Sequence, residues 1–237
     1  MKTIITNEYT SKLFSKLRQL DSEIGQIPDV FRSEDINNMP RPEGIGFDVN
    51  GYLDIFDKIK LKKGIILDYA YHWSFFHGWP CIYTRRIDDP RISANEYNKK
   101  YGNIDKPYLD DIIIENNAES FFQLAVFTKV VHQFYLWWHA NYNDHQFVVN
   151  INSAQAILKG IKRKKGLYGI SMENRDKINQ LDFNPQVECF EDCGKVYYFM
   201  FSNWVGLSQE TATIYWPKLR IETQNKIIVK YDCGIDY

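Results

Sequence analysis

The residues of this chain best suited to chemistry crowd around one turn. His139 and His145 bracket Ala140-Asn141-Tyr142-Asn143-Asp144, a run rich in turn formers. If that run closes a β-hairpin, the two histidines stand opposite each other, with Cβ atoms roughly 4.5–5.5 Å apart on one face. Two imidazoles with a carboxylate beside them are metal-ligand chemistry, or the makings of a hydrolytic centre. No third His or Cys follows at ligand spacing, so the cluster lacks the signature of a spacing-defined zinc motif. In the plainer reading, Asn and Asp build the turn and the histidines are polar strand ends. His139, Asp144 and His145 are therefore the candidate catalytic residues of a hydrolase-like or metal-dependent enzyme, with no bound metal and no cofactor expected.

Other reactive side chains are scattered. Cys189 and Cys193 have Cys-x3-Cys spacing and would need Cys81 and Cys233 to complete a four-cysteine zinc site. The plainer reading is four small free thiols in a reducing cytosol. Asp68 and His72 share a face of a predicted strand, but four residues of extended chain separate them too far for a direct bond. A buried Asp is usually paired, and Arg85 and Arg86 on the neighbouring strand are the expected partners. The basic run from Lys159 to Lys165 reads first as a solvated helix end.

One loop has more aromatic surface than a turn needs. Ser74-Phe75-Phe76-His77-Gly78-Trp79-Pro80 joins two predicted strands. Gly78 permits unusual dihedrals and Pro80 stiffens the exit. Phe76 and Trp79 are the candidate binding residues, since large aromatics dominate binding hot spots.

The elements that must position these groups follow from periodicity. Ala118 to His132 is apolar almost all round, the mark of a buried helix. Asn116 and Glu119 have capping-box spacing ahead of it. An aromatic strand and the His139–His145 turn then make a central hairpin, with Phe122, Leu124, Val126, Phe134, Leu136 and Trp138 as core. Thr10 to Leu20 is an amphipathic helix. Gly25 to Asn50 is a long ordered loop held by Val30, Phe31, Ile45 and Phe47. In the strand from Ile65 to Trp73, Leu67, Tyr69, Tyr71 and Trp73 face one way and Asp68, Ala70 and His72 the other. Cys81 to Ile87 returns antiparallel to it, and Asp88 to Lys106 is a loop or short helix. Ser153 caps a further helix, and Met172 to Leu181 forms another. Val187 to Phe190 and Val196 to Ser202 form a second hairpin. Thr211 to Trp216 and Ile227 to Tyr231 are the last strands.

The expected fold class is α+β: a mainly antiparallel sheet with a buried central helix packed on it. Residues 1–237 are read as one domain, with a subdivision near 166–184 as the alternative. The net charge of −1 argues against a general electrostatic nucleic-acid binder. No apolar run is long enough to span a bilayer, no signal-peptide segment opens the chain, and a cytoplasmic location is expected. The Lys, Ile and Asn usage suggests a bacterial source. No phosphate loop, nucleophile elbow or His-Glu-x-x-His motif is present. The expected function is a non-catalytic intracellular module that binds a protein partner, of bacterial immunity or antitoxin type, with a second copy of the chain as a further partner. A small-molecule or glycan binder with an aromatic pocket is the remaining alternative.

Overall fold

The computed structural model describes residues 2–102, 104–138, 145–160, 171–202 and 204–230. Every strand pairing among them is antiparallel. The largest sheet orders β1 (Lys2–Ile4), β8 (Gln186–Cys189), β9 (Cys193–Ser202), β10 (Gly206–Tyr215) and β11 (Arg220–Lys230), and β7 (Gln146–Val148) also pairs with β9. A second sheet joins β3 (Ile65–Trp73), β4 (His77–Arg86) and β6 (Trp137–Trp138). Short strands β2 (Lys60–Leu61) and β5 (Ile112–Ile113) pair with each other. The architecture is α+β, with helices α1 (Asn7–Ile24), α2 (Gly51–Ile55), α3 (Ala94–Tyr101), α4 (Ala118–Val130), α5 (Ile151–Gly160) and α6 (Met172–Asn179).

Helix α4 is the buried helix. All residues from Ser120 to Thr128 are buried, and the helix packs on β8, β9 and β10. Gly194 on β9 permits the close approach. A Cβ there would lie 2.4 Å from the Phe121 ring, so the helix side chain rests directly on strand backbone. Gln123 is the one amide inside the apolar run, and its polar atoms are satisfied. Its Nε2 donates to Tyr9 Oη at 2.7 Å and Asp57 Oδ1 at 2.6 Å, and its Oε1 accepts from the Lys58 N–H at 2.8 Å. One core cluster runs from Leu67, Tyr69, Tyr71 and Ile82 of the second sheet through Phe122, Leu124 and Phe127 to Val187, Val196 and Ile214 of the first. Burying each such side chain contributes roughly 1.5–3 kcal/mol. The helix is capped one residue later than its spacing suggests. Asn117 accepts from the Ser120 N–H, while Asn116 donates to the carbonyls of Phe190 and Glu191.

Among the described residues the expected central hairpin is not found. β6 pairs with β4 and β7 pairs with β9, so the two arms belong to different sheets. The chain leaving α4 first turns into the core: Phe134 and Tyr135 are buried, and Tyr135 takes a left-handed φ of 54°. Trp137 and Trp138 then meet the β4 edge. Phe122, Leu124, Val126 and Phe134 are core as expected, but Leu136 and Trp138 are only half-buried.

The segment from Gly25 to Asn50 is ordered by burial and by a backbone role. Phe31, Ile36 and Val49 are buried, whereas Val30 and Ile45, expected inside, are exposed. The Asn37 amide donates to the Trp73 carbonyl and accepts from its N–H, and Asn50 does the same at Leu67. Two side chains thus stand in for a neighbouring strand along the free edge of β3, which would otherwise present unpaired backbone groups. Farther on, Ser93 and Glu96 form a complete capping box, which sets the start of α3. At α5 it is Asn150 that accepts from the Ser153 N–H, so Ser153 lies inside the helix and not at its cap.

Candidate functional site

The alternation read for β3 holds. Leu67, Tyr69 and Tyr71 enter the main core with Trp73 packed against it, while Ala70 joins Cys81, Tyr83 and Ala94 in a cluster on the opposite face. The loop to β4 is shorter than expected. Ser74 N–H donates to the His77 carbonyl at 2.8 Å and the strand resumes at His77, so Gly78, Trp79 and Pro80 belong to β4. Pro80 is tolerated because β6 reaches only His77 and Gly78, leaving β4 an edge beyond them. Phe75 and Phe76 form the tip, 78% and 56% exposed, with rings perpendicular at 5.1 Å.

Both faces of this sheet end are aromatic. On the core-facing side, Trp73, Gly78 and Trp137 are neighbours in register, and the two indoles stack at 5.9 Å. On the opposite side His72 pairs with Trp79. The Trp79 ring lies 4.3 Å from the His72 imidazole and 4.8 Å from that of His77. Burial, with the His77 ring nearby, holds the His72 pKa below the usual imidazole value, so the stack is built around a neutral ring. Trp138 stands opposite His77 in register and stacks on Trp204 at 5.3 Å, tying the end of β6 to the turn before β10. Trp79 and Trp137 are each 37% exposed.

The buried carboxylate is Asp68, 1% exposed. Arg41 Nη2 lies 2.8 Å from its Oδ1, and Arg85 Nε and Arg91 Nε lie 2.7 and 3.2 Å from its Oδ2. Burial alone would raise its pKa, but the hydrogen bonds from Arg41 and Arg85 outweigh this and hold it below the usual carboxylate range. Arg85 was expected here; Arg86 is exposed and takes no part. Arg41 and Arg91 come from loops, and no periodicity marks them. A cavity of about 350 Å³ lies against the cluster, lined also by Glu43, Asp48 and Asn50. Its three arginines face three carboxylates, so the lining is formally neutral and the network is accounted for as an internal ion pair joining the loop to β3 and β4.

His139 and Asp144, with Asn141, lie outside the described residues, as do Cys233 and the basic residues 162–165. His145 is exposed, just ahead of β7. Among the described residues β6 pairs with β4 and β7 with β9, so the hairpin pairing on which the His139–His145 reading rested is not found there. Cys81 is buried in the second sheet, and burial pushes its thiol pKa up to about 12, which leaves it a poor nucleophile at neutral pH. Cys189 and Cys193 flank the β8–β9 turn, and burial raises both. Among the described residues, no three His, Cys, Asp or Glu side chains gather as a metal site would require, and no helix is long and apolar enough to cross a membrane. No protein-family model, curated protein or solved structure matches the chain.

Proposed function

We propose that this protein is a binding module without catalytic activity, and that it docks on another protein through the aromatic end of the β3–β4–β6 sheet. The observation that carries this reading is the exposure of Phe75, Phe76, Trp79 and Trp137 together at one sheet end. Their backbones are held by strand pairing and a three-residue turn, so little ordering entropy opposes their use in an interface. Aromatic anchors of this kind contribute most of the energy in protein interfaces. Large aromatics exposed on a fixed backbone have the composition of a protein-docking surface. A partner that is a toxic enzyme would make the role one of immunity or antitoxin type.

The test is the Phe76→Ser/Trp79→Ser double variant. Circular dichroism and thermal melting establish that it folds, and quantitative affinity capture compares it with the wild type. The expected result is a folded variant that loses a partner recovered by the wild type. With that partner purified, affinity falls at least about thirtyfold, the equivalent of about 2 kcal/mol. A folded variant with unchanged partner recovery sinks the reading. The identity of the recovered protein decides the immunity or antitoxin role.

A further inference from the structure

Strand β11 ends the large sheet. β10 pairs with one side of it; among the described residues no strand pairs with the other. The contrast with β3 is informative. The free edge of β3 is occupied by the amides of Asn37 and Asn50, whereas no described side chain or loop bonds the β11 backbone between Arg220 and Ile227. The open segment stops at Ile228, whose carbonyl accepts from Lys177 Nζ at 3.1 Å. The register with β10 also shifts there, so the regular strand runs through Ile227.

Register fixes which way these residues face. Ile221, Thr223, Asn225 and Ile227 lie opposite Ile214, Ala212, Glu210 and Ser208, all of them buried. Thr223, Asn225 and Ile227 are nevertheless exposed, Ile227 at 54%. The layer beneath the sheet ends before its last strand. Glu222, Gln224 and Lys226 share the other face. The stretch Ile221-Glu222-Thr223-Gln224-Asn225-Lys226-Ile227 reads alike in kind from both ends about Gln224: apolar, charged, polar, centre, polar, oppositely charged, apolar.

We propose that two copies of this chain pair antiparallel through β11 about a two-fold axis at Gln224, joining their large sheets into one. Ile221 then stands opposite Ile227 of the second copy, Glu222 opposite Lys226, Thr223 opposite Asn225, and Gln224 opposite itself. Paired positions have the same parity, so the faces of the two sheets are continuous. The contact is isologous, so each unlike pair occurs twice. A charged residue on an edge ordinarily blocks such pairing because it meets no counter-charge. Here the two-fold supplies one. Lys226 has no ion pair among the described residues, while Glu222 is met only by the exposed Arg220 at 2.7 Å and the Tyr215 hydroxyl at 3.0 Å. Backbone hydrogen bonds provide the attraction, and the charges and the two Ile pairs select the register.

The test uses charge exchange at exposed positions, which leaves the fold intact. Sedimentation velocity across the micromolar range measures dimerisation of the wild type, Glu222→Lys, Lys226→Glu and the double exchange. The wild type is expected to dimerise reversibly. Each single variant sets like charges opposite each other twice and should weaken the dimer by about fivefold or more. The double exchange restores the opposite-charge pairs and should recover wild-type affinity. A wild type that stays monomeric at every concentration overturns the proposal, as it would if residues 231–237 or another part of the chain occupied this edge. So does a dimer indifferent to the single exchanges, or a double exchange that fails to rescue. The Phe76→Ser/Trp79→Ser variant changes a different sheet and should leave this dimer intact, so the two proposals stand or fall separately.

Discussion

Trp73 and Trp137 stack at 5.9 Å with planes 25° apart, on either side of Gly78 in the strand register. A Cβ on Gly78 would lie 2.8 Å from the Trp73 ring and 2.7 Å from the Tyr71 hydroxyl. The glycine therefore serves packing: it vacates the position over which two indoles meet. Through Trp137 it also holds β6 against β4, and with it one of the exposed rings of the proposed binding end.

Gly78→Ala should cost about 1–3 kcal/mol, the usual penalty for overfilling a packed site. It should also alter the near-ultraviolet circular dichroism of the stacked indoles while leaving the far-ultraviolet spectrum close to wild type. An unchanged melting temperature and near-ultraviolet spectrum would show that the sheet end can accommodate the methyl group.

Asp68→Asn removes one charge and leaves three guanidinium groups facing each other. Arg41 and Arg85 have side chains only 8% and 12% exposed, so water replaces the lost carboxylate only in part. Loss of a partner from a buried ion network costs about 3–5 kcal/mol. Arg91→Gln should cost much less, because the Arg91 side chain is 24% exposed and Asp68 keeps two partners. Urea titration of both variants measures the difference, and equal costs would contradict the assigned network.

How far the sequence carried depended on the range of the interaction concerned. The buried helix was legible because nine consecutive buried residues leave a composition no solvated helix can have. The two faces of β3 were legible because the period of two is local. The pairing of β6 and β7 was not. Turn-forming residues between two aromatic runs promise a hairpin, but whether the arms meet depends on other edges, and β4 and β9 offered them. Arg41 escaped for the same reason: it lies 27 residues from Asp68 and reaches it only once the loop is folded. The start of α3 was readable in retrospect, since Ser93 and Glu96 have full capping-box spacing ahead of a weakly apolar stretch.

Phe134 and Trp138, both read as core, separate cleanly in the structure and give a paired test. Phe134 is 4% exposed, with the rings of Tyr69, Phe47 and Tyr135 at 4.9, 5.2 and 5.4 Å. Phe134→Ala should cost about 3–5 kcal/mol by denaturant titration. Trp138 is half-buried at the sheet end, so Trp138→Ala should cost clearly less. A reversed order would mean that the packing centre lies at the sheet end and not beneath α4.

The last prediction concerns acid. His132 sits beside the fully buried Tyr108, with Nε2 3.1 Å from its hydroxyl. Burial, reinforced by the nearby Lys106, lowers the imidazole pKa from 6.5 to about 4. Between these values the unfolded chain binds a proton at His132 that the folded chain does not. Unfolding is therefore favoured progressively as pH falls from 6.5 towards 4, and the full stability is present above 6.5. At about 1.4 kcal/mol per unit, the loss from this residue approaches about 3 kcal/mol at the acid end. His72, also lowered by burial and by His77, works in the same direction. Asp21, whose carboxyl burial pushes up, opposes it only near its own titration. Denaturant titrations at several pH values between 7 and about 4.5 measure the slope. His132→Gln keeps a polar partner for Tyr108 but cannot take up the proton. Its stability should be lower at pH 7 and should fall less steeply below it. If the variant declines with acid as steeply as the wild type, the acid sensitivity belongs to other groups and His132 is not held neutral by its surroundings.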